Sequence, residues 1–170
     1  MKEYCFGIDI GGTTVKCGLF NVKGVENIRE VQKIAVEQSR LKIPLLFGID
    51  VIHGYETVFP IPLALACSWD MEAIKESARI AAKESSADGI CWTFSPMVDI
   101  CRDPRWGRGQ ECYGEDPYLT GKMGSAIVRG LEGSDPHYLK AVACAKHYAV
   151  HSGPEGNRHS FDAHTSLYDL

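Results

Sequence analysis

From residue 25 onward, the sequence alternates between two kinds of apolar pattern. Helical spacing occurs in residues 25–41, 71–87 and 116–133, and continuously apolar runs occur in residues 43–50, 89–100 and 138–147. Continuous apolar runs are typical of strands that are buried on both faces, as in a parallel sheet covered by helices. We therefore predict an α/β fold with parallel strands, and the pattern fits a barrel as well as an open doubly wound sheet.

Two of the helical segments carry a start signal. Asp70 directly precedes residues 71–87, and its carboxylate can accept hydrogen bonds from the first backbone N–H groups of a helix. Asp116 has the corresponding place before the third segment, and Pro117 suits the first helical position because an N–H there would have no partner in the helix. We expect helices to begin at these residues.

The composition makes several classes of partner unexpected. The 170 residues carry a formal net charge of −4 with both signs mixed, so neither a nucleic acid nor a membrane surface is an expected partner.

The seven cysteines lack CxxC spacing and mostly lie in apolar runs, which predicts reduced, largely buried thiols in a cytoplasmic protein. The beginning, MKEYCFGIDIGG, lacks the pattern of a signal peptide, and no apolar run reaches the length of a membrane span. The oligomeric state stays open.

Polar side chains are concentrated just after the apolar runs. The loops at the carboxyl ends of parallel strands converge on one face of the sheet, where such folds bind their ligands. We expect one acceptor and four donors to meet there: Asp50, and then Arg108, Lys146, His147 and Arg158. This combination suits a neutral ligand that is rich in hydroxyl groups, such as a sugar, with tryptophan faces available for its C–H surface.

The same side chains also have a structural interpretation. Arg102, Asp103 and Arg105 can pin a long loop by ion pairs, and the tryptophans at positions 69, 92 and 106 are more often core residues than sugar platforms. A metal site could be imagined from His147, His151 and His159, but their spacing matches no familiar ligand pattern. We therefore predict neither a metal nor a cofactor.

Three long segments carry a resemblance to a known family: IPLLFGIDVIHGYETVFPIPLALACSWD, FSPMVDICRDPRWGRGQECYGEDPYL and ACAKHYAVHSGPEGNRHSFDA. With these segments the sequence resembles glycoside hydrolase family 3, which includes β-glucosidases and β-xylosidases. The resemblance implies a partial (β/α)8 TIM-type barrel over residues 24–170. It also implies a retaining hydrolase of β-linked sugars, which uses a carboxylate nucleophile and a carboxylic acid/base.

The resemblance assigns roles to single residues. It places five side chains in the subsite that binds the hydroxyls of the non-reducing-end sugar: Asp50, Arg108, Lys146, His147 and Arg158. In the family, the nucleophile and the acid/base come later and would follow Leu170. The carboxylates at positions 99, 103, 111 and 115 match no catalytic position. The expectation is therefore a sugar-binding part of a hydrolase that is inactive on its own.

Residues 1–23 form a separate segment that is predicted to be a β-hairpin. FGIDIGGTTVKCGLF resembles the first hairpin of ROK-type sugar kinases, in which a glycine turn approaches the ATP phosphates. That resemblance implies nucleotide contacts from five residues: Asp9, Gly11, Gly12, Thr13 and Lys16. An ATP-dependent sugar kinase is therefore the alternative function, and a non-catalytic sugar-binding remnant is the third.

Overall fold

The computed structural model describes residues 5–11, 14–20, 24–151 and 160–168, with side chains from residue 28 onward. The chain divides into two compact units, Met1–Phe47 and Gly48–Leu170.

The first unit contains a hairpin and a helix. Strand β1 (Cys5–Gly11) pairs antiparallel with β2 (Thr14–Phe20), and the register sets Gly11 opposite Thr14. Helix α1 (Gly24–Gln38) follows. The predicted hairpin and the first predicted helix are therefore confirmed.

The apolar run at residues 43–50 is only a short strand. In this run, the strand β3 (Gly48–Ile49) pairs with a neighbouring strand. The backbone of Leu45 instead bonds to the side-chain amide of Gln32: its N–H donates to Oε1 over 2.8 Å, and its carbonyl accepts from Nε2 over 3.1 Å. Leu46 is 78% exposed. The expectation of a strand buried on both faces is therefore wrong here, because a polar side chain takes the place of a neighbouring strand.

The second unit has the expected α/β order. Its elements are α2 (Pro62–Ser68), α3 (Met71–Ala87), β4 (Trp92–Thr93), a 3₁₀ helix (Gly109–Glu111) and α4 (Pro117–Glu132). Strand β3 pairs parallel with β4. Parallel bridges from Trp92 to Val142 and from Met97 to Lys146 then add the segment 142–146 on the other side of β4. The predicted parallel sheet is thus confirmed, whereas α2 was not predicted.

The sheet is buried on one face, not on both. Thr93 is fully buried and Ala141 nearly so, whereas the neighbouring Trp92 and Val142 are 39% and 46% exposed. Helices α3 and α4 form the main core together with residues around Val51. Because Trp92 and Val142 are exposed to this extent, the prediction of two buried faces fails for these strands.

The two helix starts agree with the sequence. The carboxylate of Asp70 accepts from the backbone N–H groups of Glu72 and Ala73, over 3.1 and 2.9 Å. Asp116 accepts from the N–H of Leu119 over 2.6 Å, and Pro117 is the first residue of α4. Both predicted caps are confirmed.

Replacing Asp70 by alanine is expected to lower the free energy of unfolding by about 1 kcal/mol, because two N–H groups of α3 lose their acceptor. Asp70→Asn keeps an acceptor oxygen and should retain most of that stability. Urea unfolding followed by circular dichroism measures both. As a matched control, Glu72→Gln in the same turn removes an exposed contact with Lys75 and should change stability little. Equal losses for Asp70→Ala and Asp70→Asn would contradict the capping role.

Candidate functional site

Asp50 and Lys146 meet at the carboxyl ends of their strands. Asp50 directly follows β3, and Lys146 ends the segment that runs along the other side of β4. The ammonium Nζ of Lys146 donates to Oδ1 of Asp50 over 2.5 Å. The Lys146 side chain is 15% exposed and that of Asp50 is 56% exposed, so the carboxylate remains open to a ligand. Two groups that are 96 positions apart in sequence therefore form one charged pair.

Arg108 lies in the long loop after β4, where it caps the 3₁₀ helix. Its guanidinium makes a two-pronged ion pair with Glu111, in which Nε donates to Oε1 over 2.9 Å and Nη2 donates to Oε2 over 2.6 Å. This carboxylate raises the pKa of Arg108, and the negative charges of Asp50 and Asp99 act in the same direction. The guanidinium is thus a fixed cation within the electrostatic reach of Asp50.

Two imidazoles contact the remaining side of the Arg108 guanidinium. Nη1 lies 3.2 Å from Nε2 of His147 and 3.2 Å from Nε2 of His151. The rings of the two histidines have centroids 4.0 Å apart. His147 also contacts Asp99, whose Oδ2 lies 2.8 Å from the ring Nδ1 and accepts from the backbone N–H over 3.2 Å. One hydrogen-bonded network therefore links the loop after β4 to the segment that ends in Lys146.

The structure places the site residues predicted from sequence as follows. Four of them share this one end of the sheet: Asp50, Arg108, Lys146 and His147. Arg158 lies outside the described residues. The partners Asp99, Glu111 and His151 were not expected to hold the others in place. For Glu111, the spacing of three residues from Arg108 inside a short helical turn is a signal that could have suggested the pair.

The tryptophans and the charged side chains of the loop after β4 could have either a structural or a sugar-binding role. Trp106 is 7% exposed and belongs to a small core with Met97 and Cys112, whereas Trp69 is 72% exposed. Arg105 pairs with Asp103, and the Arg105 hydrogen bonds lower the pKa of Asp103 to about 2. The predicted ion pair is therefore present between Arg105 and Asp103, whereas an ion pair of Arg102 stays a prediction.

A further set of contacts holds the loop that follows Asp50. Glu84 of α3 accepts from the N–H groups of Glu56 and Thr57 and from the Thr57 hydroxyl, over 3.0, 2.9 and 2.6 Å. The Tyr55 hydroxyl donates to Asp88 over 3.0 Å. Burial, with the Asp88 contact as the next cause, raises the pKa of Tyr55 to about 12. These contacts tie the loop after Asp50 to a well-packed helix.

No described set of three histidine, cysteine, aspartate or glutamate side chains is arranged to hold a metal ion. His147 and His151 bind the Arg108 guanidinium instead, and His159 lies outside the described residues. In the described ranges, no helix is long and apolar enough to cross a membrane.

The residues of the kinase-type hairpin are described in part. Asp9 and Gly11 lie in β1, and Lys16 lies in β2 opposite Asp9, whereas Gly12 and Thr13 fall outside the described residues. Nucleotide binding by this segment, and a domain boundary after residue 23, stay predictions.

The chain is similar to known proteins over most of its length. The model of the glycosyl hydrolase family 3 N-terminal domain matches residues 3–166. Over 141 residues the chain is 43% identical to the periplasmic beta-glucosidase of Salmonella typhimurium, covering 82% of the chain and 18% of that protein. Over 125 residues it is 46% identical to the xylan 1,4-beta-xylosidase of Xylanibacter ruminicola, covering 63% of the chain and 14% of that protein.

A solved structure shows the same fold. The beta-glucosidase from Listeria innocua, crystallised in complex with glucose, superimposes with a TM-score of 0.69 at 48% sequence identity. The match covers 73% of this chain and 18% of that one. The chain therefore corresponds to a small part of the length of its relatives. The predicted fold class, a TIM-barrel-type α/β fold present in part, is confirmed.

Proposed function

Since the chain belongs to glycosyl hydrolase family 3, whose N-terminal domain model matches residues 3–166, we propose that it supplies the sugar-binding side of a retaining β-glycosidase site. The proposed substrates are β-glucosides or β-xylosides, in keeping with the names of the relatives. The observation that supports this most strongly is the Asp50–Lys146 pair beside the Arg108 guanidinium, at the carboxyl ends of parallel strands.

The chemistry of these groups suits a sugar ring. The half-exposed carboxylate of Asp50 can accept from two neighbouring hydroxyls, and the ammonium of Lys146 can donate to one of them. Charge-assisted hydrogen bonds of this kind are stronger than neutral ones and fix the orientation of a polar ligand. Arg158 would add a donor from the segment after His151.

The described carboxylates of the site do not serve as a catalytic pair in this proposal. A retaining glycosidase needs an ionised nucleophile and a protonated acid/base on either side of the glycosidic oxygen. Asp50, Asp99 and Glu111 are instead held by an ammonium, an imidazole and a guanidinium. We therefore propose that residues 1–170 bind a sugar but do not hydrolyse a glycoside by themselves.

Titration of the 170-residue chain with glucose and with xylose, followed by NMR, tests the proposal. A monosaccharide with about 0.3 kcal/mol of binding energy per heavy atom should bind with a Kd on the order of millimolar. Chemical shifts should change at Lys146 and His147, and the sugar alcohol with the same number of carbon atoms serves as the control that cannot form a ring. Nitrophenyl β-glucoside and β-xyloside should release no nitrophenol.

Two results would contradict this assignment. Release of nitrophenol at a rate proportional to the concentration of the purified chain would show that a catalytic pair is present. Absence of any shift change at Lys146 and His147 up to about a hundred times a millimolar Kd would remove the sugar site. Magnesium–ATP in the same titration tests the kinase alternative, which predicts changes near Asp9 and Lys16.

A cytoplasmic location is also a proposal. It rests on reduced thiols such as Cys101, Cys112 and Cys144. Burial raises the pKa of the Cys112 thiol to about 12, which keeps this thiol protonated at neutral pH. The Salmonella typhimurium relative is named a periplasmic enzyme, so fractionation of cells that express the native gene is the direct test.

A further inference from the structure

His147 is held at two points by the same carboxylate oxygen. Oδ2 of Asp99 accepts from the backbone N–H of His147 over 3.2 Å and lies 2.8 Å from the ring nitrogen Nδ1. Asp99 lies two residues after Met97, which bridges in parallel to Lys146, and His147 directly follows Lys146 on the neighbouring segment. The contact therefore joins two adjacent strand ends and fixes both the backbone and the ring of His147.

Among the described residues, the opposite ring nitrogen of His147 contacts a group that can donate a hydrogen bond but cannot accept one. Nε2 lies 3.2 Å from Nη1 of Arg108, and a guanidinium nitrogen can donate but cannot accept. A hydrogen bond at this position therefore requires an unprotonated Nε2. The opposite requirement holds at the other nitrogen: the carboxylate of Asp99 can only accept a hydrogen bond, so Nδ1 must carry the proton and donate.

The network is shielded enough for these preferences to matter. The Asp99 side chain is 8% exposed, that of Arg108 is 14% exposed and that of His147 is 26% exposed. At such burial, water competes weakly for the ring nitrogens, and an imidazole in the wrong tautomer would set an N–H against the guanidinium. Protonation of both nitrogens would likewise place a second cation against Arg108.

We propose that Asp99 is a positioning residue, which keeps the proton of His147 on Nδ1 so that the bare Nε2 can orient the Arg108 guanidinium beside Asp50. Glu111 holds the other edge of the same guanidinium through Nε and Nη2. In this arrangement His147 orients Arg108 as well as lining the proposed sugar subsite together with Asp50 and Lys146. The consequence for sugar binding rests on the proposed function, but the tautomer of His147 does not.

The tautomer is measured directly on the ligand-free chain. NMR of protein labelled with ¹⁵N at its histidine rings distinguishes a protonated from an unprotonated ring nitrogen, and His147→Gln identifies the signals of His147 by their loss. In the unsubstituted chain we expect a single neutral form with the proton on Nδ1. A protonated Nε2 in that spectrum at neutral pH would by itself overturn the proposal.

Variants separate positioning from folding. Asp99→Ala should shift His147 to a mixture of tautomers and weaken sugar binding by about five- to tenfold, as for the loss of one well-placed hydrogen bond. Asp103→Ala in the same loop, which removes only an exposed pair with Arg105, should change neither readout. An unchanged His147 tautomer in folded Asp99→Ala would overturn the proposal. If the tautomer shifts in a chain that binds no sugar even without substitution, the positioning role stands and the proposed function fails.

Discussion

Replacing Gly130 by alanine is expected to lower the free energy of unfolding by about 3 kcal/mol, the upper part of the usual range for overpacking. A Cβ atom at this position would overlap the carbonyl oxygen of Lys75 and would lie 2.6 Å from the Cβ of Ala78. Both belong to α3, so the clash involves the backbone of a neighbouring helix, which cannot move aside as a flexible side chain could. Since small domains are stable by only ~5–15 kcal/mol, this is a large effect.

Gly121 in the same helix provides the matched control. A Cβ at this position would meet no atom within 4 Å. Gly121→Ala should therefore stabilise the chain by about 0.5–1 kcal/mol, because alanine loses less conformational freedom than glycine in a helix. Urea unfolding measures the free energy of unfolding of both variants, and its change should have opposite signs in the two. A stabilised Gly130→Ala would show that α3 and α4 do not pack at this distance.

The helices could be predicted from the sequence because their signals are local. Asp70 and Asp116 accept from N–H groups two or three residues along the chain, so a short stretch of sequence contains both partners of each contact. The 43–50 run shows the opposite case. Its apolar composition predicts a buried strand, but the side-chain amide of Gln32, 13 residues away, takes the hydrogen bonds of Leu45. No local pattern reports that contact.

The candidate site divides in the same way. The position of Asp50 and Lys146 at strand ends follows from the parallel order of the sheet, so the sequence could predict that they share one face. The identity of their neighbours could not be predicted, because Asp99 and His147 are 48 positions apart and their contact depends on the register between two segments. The groups at the carboxyl ends of the strands are therefore easier to predict from the sequence than the groups that orient them.

Asp50 and Lys146 are expected to act as one unit in binding a sugar. Each of Asp50→Asn and Lys146→Met should weaken binding by at least about tenfold, since a hydrogen bond to a charged group contributes ~1.5–3 kcal/mol. Asp50→Asn should also lower the stability of the chain more than Lys146→Met does. It leaves an ammonium that is 15% exposed without a counter-charge, whereas the carboxylate left by Lys146→Met is 56% exposed and can be hydrated.

A double-mutant cycle measures this coupling. Contact pairs typically show interaction energies of ~0.5–3 kcal/mol, so the double variant should bind and fold better than the sum of the two single losses predicts. The exposed pair Lys75–Glu72, whose atoms lie 3.5 Å apart on α3, is the matched control. The interaction energy of this pair should be near zero. Additive losses at Asp50 and Lys146 would mean that the two groups act independently, and the hydrogen bond between them would then have no part in orienting the carboxylate toward a sugar.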